Sequence, residues 1–261
     1  MPGRRPGPPR RPSSVLDPAE RISRLLGAID DLELRARRAA EFLAELPEDE
    51  AVEALDELLR RTHRRSDPHS AALEGLLRGL HTFVPEDLTA RLRSAADAKG
   101  TQAVAALFTP SGAVRTFDRD KEGWVDSEMR SRSLGERKAL ARGRNRDLLV
   151  RLAQDQDPMV VRNLLENPRC TEREALVAAS RRPVRAAVLQ EVFRSRRWAT
   201  NRRVRKALAQ NPYSPPSLAI SALAILTTPD LREIASDGTI SPEVRVQARL
   251  LLAHRTGPAA E

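Results

Sequence analysis

Residues 160–176, VVRNLLENPRCTEREAL, and residues 204–218, VRKALAQNPYSPPSL, decide the fold. Each begins as an amphipathic helix and runs into Asn-Pro. Aligned on those pairs, Val160 falls on Val204, Leu164 on Leu208, Asn167 on Asn211, Pro168 on Pro212, Ala175 on Ala219 and Ala178 on Ala222, an offset of 44 residues. Proline cannot continue a helix and pushes the residue before it out of the α region. Asparagine accepts that non-helical terminus better than most residues. A new helix then starts within three or four residues, from the capping box Thr171-x-x-Glu174 in one unit and from Ser214-Pro215 in the other. Asp157-Pro158, Thr228-Pro229 and Ser241-Pro242 repeat the device. The breakers turn the chain sharply between short helices.

This pattern predicts helices over 157–166, 171–180 and 184–196, matched by 201–210, 215–226 and 228–236, with 241–254 opening a third cycle. Such a period lies in the HEAT and armadillo range, where a unit buries its apolar face only against its neighbours. The expected fold is all-α, an α-solenoid over 133–254 that starts at a Ser133-x-x-Glu136 capping box. Upstream, residues 15–108 read as amphipathic helices at about 18–29, 31–46, 48–64, 69–82, 86–98 and 101–108, with Asp17, Pro18 and Glu20 as the first start signal. Leu25, Leu26, Ile29 and Leu32 form one apolar stripe, and Val52, Leu55, Leu58 and Leu59 another. Residues 109–132 mix Gly, Pro and charges and read as a linker or exposed loop. Residues 1–14 and 255–261 read as a disordered basic arm and a disordered tail.

Residues 133–253 resemble the HEAT-like and leucine-rich-repeat-variant α-solenoid proteins of bacteria, found mainly in myxobacteria and their relatives. The phrases that carry the resemblance are SLGERKALARG, DPMVVRNLLENPRCTE, SRRWATNRRVRKALAQNPYSPPSLA and LTTPDLREIASD. The resemblance implies a helical repeat array and no particular activity. One leucine-rich-repeat-variant type holds an iron–sulfur cluster on cysteines, a site that Cys170 alone cannot build.

Composition narrows the function classes. Aromatic residues are only 3% of the chain, so the core must come from Leu, Ala and Val, which favours closely packed helices. No stretch approaches the roughly 18 apolar residues that span a bilayer, and no apolar segment follows the N-terminal MPGRRPGPPRRPSS to make a secretory signal. The expected location is the bacterial cytoplasm. The net charge of +9 is weak evidence for nucleic acid, because only four of 45 basic residues are lysine and arginine richness follows from a GC-rich genome. Its distribution says more. Residues 13–108 carry a net −5, whereas residues 181–206 hold ten basic residues against Glu191 alone.

A search for catalytic or metal chemistry finds little. The P-loop, dinucleotide-binding and nucleophile-elbow patterns are all missing. His63, His69, His81 and His254 lack the i, i+4 spacing of a metal pair and read as exposed helix or loop residues. Cys170 sits in a turn at a helix start, where it reads as a small turn residue rather than a reactive thiolate. Asp118, Asp120 and Glu122, followed by Gly123, approach a calcium loop, but its twelfth position is Met129, so a solvated loop is expected. No cofactor and no small-molecule substrate is expected.

The basic segment is the most suggestive feature. Val184, Val188, Leu189, Val192 and Phe193 make its buried stripe. Arg194, Arg196, Arg197, Arg202, Arg203 and Arg205 cluster at the helix end and the turn after it, around Trp198, with Arg181, Arg182 and Arg185 upstream. Arginine forks match phosphate geometry and a tryptophan can stack on a base. The leading expectation is a non-enzymatic scaffold that presents a helical-repeat surface to a protein partner. The alternative is a nucleic-acid-binding protein that contacts DNA or RNA through 181–206. A third reading is an acidic protein partner for this segment, including the chain's own acidic N-terminal half. A HEAT-like DNA glycosylase is the last. Phosphate binding requires the arginines of 194–205 on one exposed face near Trp198. A scaffold predicts an exposed apolar patch, and an enzyme an acid buried beside Trp198 or Trp124.

Overall fold

The computed structural model describes residues 17–62, 68–109, 115, 117–118 and 126–256. The basic arm, residues 257–261 of the expected tail, His63, Asp120, Glu122, Gly123 and Trp124 lie outside them. Arg255 and Thr256 of that tail are not disordered but close the last helix, where Arg255 donates to the Ala224 and Leu226 carbonyls. Among the described residues every regular element is a helix. The N-terminal region comprises α1 (Pro18–Gly27), α2 (Leu32–Glu45), α3 (Glu48–Arg61), α4 (Pro68–Thr82), α5 (Glu86–Ala98) and α6 (Gln102–Ala105), which runs into a 3-10 turn at Ala106–Phe108. A short α7 (Ser127–Ser131) falls within the segment read as linker and buries Met129. The repeats are α8 (Leu134–Ala141), α9 (Arg146–Leu152), α10 (Pro158–Glu166), α11 (Glu172–Ser180), α12 (Ala186–Arg194), α13 (Arg202–Gln210), α14 (Pro216–Ala224), α15 (Thr228–Ser236) and α16 (Pro242–Thr256).

In the N-terminal region α4 packs against α1, α2 and α3. The α2–α4 approach depends on two glycines one turn apart. A Cβ on Gly79 would lie 2.6 Å from the Ala36 carbonyl oxygen, and one on Gly75 would lie 2.8 Å from Cγ of Arg35. Absence of side chains there lets the helices close. Val52, Leu55, Leu58 and Leu59 are fully buried, each contributing about 1.5–3 kcal/mol of transfer free energy. Of the first stripe, Leu26 is buried and Ile29 packs against the core, but Leu25 is 41% exposed, and Ala19 and Ile22 complete the buried face of α1.

The repeat helices stack as an α-solenoid-like array. Helix α10 matches α13, and α11 matches α14, each with nine residues and start points 44 apart. Helix α8 packs on α10, α10 on α12 and α11 on α13, so helices meet the one two places along. Asn-Pro does more than terminate. Asn167 Nδ2 donates to the carbonyls of Ala141 and Gly143, both at 2.8 Å, and its Oδ1 accepts from Arg169 N at 2.9 Å. Asn211 does the same one repeat later, with Ala179 and Arg181 carbonyls at 2.9 and 3.0 Å and Tyr213 N at 3.0 Å. Each amide thus satisfies the otherwise orphaned C-terminal carbonyls of an earlier helix. Tolerance of a helix terminus is the lesser part of its role.

The start signals are mixed. Ser133 and Glu136 form a full capping box, Asp157 accepts from Met159 N and Val160 N, and Glu174 accepts from Thr171 N at 2.8 Å. Asp17 caps nothing and pairs with Arg61. Ser214 donates to the Leu208 carbonyl, leaving Pro215 at the cap of α14. Thr227 rather than Thr228 stands at the N-cap of α15, where its hydroxyl donates to Asp230 instead of accepting from the backbone.

The two halves share one continuous buried cluster that runs from Ala19 to Leu251. Helix α14 packs on the Ala106–Phe108 turn, and α16 on α3 and α6. The described histidines are half-buried connectors rather than exposed residues. His69 Nδ1 meets Ser23 Oγ at 2.7 Å, joining α4 to α1. His254 Nε2 lies 3.1 Å from Asp56 Oδ1, joining α16 to α3. His81 joins α4 to the array through Ser221 Oγ at 2.8 Å and through an edge-on contact with Phe193.

Candidate interaction cleft

Helix α12 ends at Arg194 and the chain turns through Ser195–Thr200 before α13, which places the basic segment beside α2 and α4. The arginines there fasten the halves together. Arg194 donates to the His81 carbonyl at 2.9 Å. Arg196 pairs with Glu33 at 2.6 Å and with Asp31 at 3.4 Å. Arg205 pairs with Glu74 of α4 and donates to the Ala199 carbonyl at 2.5 Å. These contacts match the reading in which the chain's own acidic half takes up the basic segment.

Other members of the segment are committed within the array. Arg202 grips Asp230 with both Nε and Nη2, at 2.6 and 2.7 Å. Burial works against the charge of Asp230, but the bonds from Arg202 and Thr227 outweigh it and hold the carboxyl below its ordinary range. Arg203 pairs with Glu172 at 3.2 Å. Arg182 donates to the Gln210 carbonyl, and Arg181 is lowered from the usual arginine range by burial. Arg185 is exposed at the start of α12. Trp198 is buried, not offered to a base: its indole N–H donates to the Leu165 carbonyl at 3.2 Å, and Arg197 stacks on its ring 4.6 Å from the centroid. The ten residues therefore do not assemble into one free cationic face.

Glu174 and Trp198 both act on Cys170, but the Glu174 carboxylate is saturated by Thr171 N, Thr171 Oγ1 and Arg146. Burial, reinforced by Glu174, pushes the Cys170 thiol up to about 12, which leaves it protonated and inert. Among the described residues no group of three His, Cys, Asp or Glu side chains is placed to hold a metal ion.

A cleft of about 550 Å³ lies at the junction of the halves. Glu33, Arg78, Thr82 and Phe83 line it from α2, α4 and the residue after α4, and Arg162, Leu165 and Glu166 from α10. Glu191, Arg194, Ser195, Arg196 and Arg197 complete it. The sequence reading found Arg194, Arg196 and Arg197 but missed Arg78. The one signal was an arginine inside the apolar run Leu76-Leu77-Arg78-Gly79-Leu80. No protein-family model, curated protein or solved structure matches the chain.

Proposed function

We propose that this chain is a non-enzymatic interaction scaffold whose helical-repeat surface engages a protein partner. The observation that supports this reading is the internal use of the arginine segment. Proteins that bind nucleic-acid backbones hold their cations free for phosphates. Here Arg194, Arg196 and Arg205 join the array to the N-terminal region, and Arg202 and Arg203 are paired within it. The HEAT-like resemblance agrees, since stacked repeats present extended surfaces for recognition. Among the described residues the exposed large apolar side chains are Leu25, Leu34, Leu134, Met159 and Val246, each on a different helix; no one helix carries the apolar patch expected of a scaffold, so the partner surface we propose is polar. No helix among the described residues is long and apolar enough to cross a membrane. The proposed compartment is the cytoplasm.

Two measurements test the reading. A photo-crosslinking residue at Met159, exposed on α10, is expected to join a discrete protein in cell extract, whereas the same label at buried Leu164 is not. A titration into labelled random-sequence duplex and single-stranded DNA is expected to show only the weak non-specific binding of about 10⁻⁴ M near physiological salt. Micromolar binding that falls steeply with salt would overturn the scaffold in favour of the nucleic-acid reading.

A further inference from the structure

The cleft carries positive charge that the protein does not match. Five arginines and three glutamates line it. All three glutamates are already engaged: Glu33 with Arg196 at 2.6 Å, Glu166 with Arg162 at 3.1 Å and Glu191 with Arg194 at 3.7 Å. Glu74, whose charge also reaches Arg78, is held by Arg205. Two cations are left over. Arg197 donates to a backbone carbonyl and stacks on Trp198. Arg78 is only 8% exposed, lines the cleft, and makes no side-chain hydrogen bond or ion pair among the described residues. Arginines are almost never this buried without a partner, because the desolvated charge is costly until an anion meets it.

We propose that the cleft binds a phosphomonoester dianion, with Arg78 as its buried anchor. The three lining glutamates leave two of the five arginines over, and Asp31, which shares Arg196 with Glu33 and also reaches Arg78, offsets part of that surplus. What singles out a phosphate ester is the match of its oxygens to several arginine forks at once. Planar arginine forks match phosphate oxygens in pairs. The volume exceeds what a bare phosphate fills and falls within the roughly 300–1,000 Å³ of small-ligand sites. Phe83 and Leu165 offer apolar wall to the body that carries the ester. Burial lowers Arg78 from the usual arginine range, with Glu74 and Glu33 supporting its charge and Arg196 and Arg194 opposing it. An anion in the cleft compensates the lost hydration of Arg78 and offsets the repulsion from Arg194 and Arg196. The group can belong to a free small molecule, contrary to the sequence expectation that none is taken, or to a phosphorylated side chain of a protein. The inference does not depend on the scaffold reading.

Isothermal titration of the full chain with inorganic phosphate, O-phosphoserine and the peptide Gly-phosphoserine-Gly tests it, with serine and acetate as controls. Phosphate and O-phosphoserine should bind saturably, and serine should not. Arg78→Met should weaken both by about 10- to 100-fold, the loss expected for charge-assisted hydrogen bonds, while melting no lower than the wild type. Glu166→Gln, which frees the exposed Arg162, should tighten binding several-fold. Arg203→Met, outside the cleft, should leave it unchanged. Peptide binding ten-fold tighter than O-phosphoserine assigns the group to a protein, and equal binding to a free ester. Absence of saturable phosphate binding, or binding that Arg78→Met leaves intact, overturns the proposal. Should Arg78→Met not fold, an unchanged affinity in Glu166→Gln overturns it instead.

Discussion

Replacing Asn211 by aspartate exchanges an amide nitrogen for an oxygen and little else. Asn211 is 3% exposed, so water cannot readily replace what it does. Its Nδ2 serves two carbonyls at 2.9 and 3.0 Å, and its Oδ1 serves Tyr213 N at 3.0 Å. An alanine there orphans all three groups. At roughly 1–3 kcal/mol for each buried unsatisfied group, with partial relaxation, Asn211→Ala should cost about 3 kcal/mol. For a chain of this size that lowers Tm by about 6–12 °C. Aspartate keeps the bond from Tyr213 N but sets a carboxylate oxygen about 3 Å from two carbonyl oxygens, so at pH 7 it should cost at least as much. The sign with pH is opposite to that of an ordinary paired carboxylate. Repulsion raises the folded pKa of the new aspartate above its unfolded value, so the penalty is full at high pH and is relieved as pH falls through the folded pKa. Urea denaturation at pH 7 and pH 5 measures both effects, and Asn167→Asp should behave alike. If asparagine were present only because it suits a non-helical terminus, aspartate would serve equally well. An Asn211→Asp protein within about 0.5 kcal/mol of the wild type would therefore refute the inter-repeat bridge.

Gly79→Ala sets a methyl against the Ala36 carbonyl and should destabilise by about 1–2 kcal/mol despite alanine's better helix propensity. Gly75→Ala meets Cγ of the Arg35 side chain at 2.8 Å, with the nearest backbone atom at an ordinary 3.6 Å, and should cost less; equal Tm losses would argue against the backbone clash. Burial, with Arg194 nearby, lowers His81 to about 4. Protons then favour the unfolded chain, so stability should drop by up to about 1.4 kcal/mol per pH unit between pH 6.5 and 4. A His81→Gln protein should lose that part of the slope, and an unchanged slope would exclude His81 as its source. Asp230→Ala removes the acceptor of Arg202 and Thr227 and should cost about 2 kcal/mol, read by thermal unfolding. A shift under 0.5 kcal/mol would show that the bridge is offset by its own desolvation.

Helical class, repeat period and most helix boundaries were legible in the residues alone, because these are local matters. Proline removes a donor and blocks the preceding α conformation wherever it stands, so Pro168 and Pro212 end helices in any tertiary setting. Apolar spacing within α3 and α12 likewise marked the buried faces, since 3.6-residue periodicity is a property of one helix. The partners of charged side chains were decided only by tertiary structure. In the sequence, Arg194, Arg196 and Arg205 are a basic run with one acid nearby; in the fold, acids and a carbonyl more than 100 residues away neutralise or hold them. Charge acts through space, and the sequence distance between Glu33 and Arg196 carries no trace of their contact. Arg78 is the reverse case. It lies in an acidic half, among apolar neighbours, and only the closure of α4 against the array leaves it buried at a cleft without a carboxylate of its own.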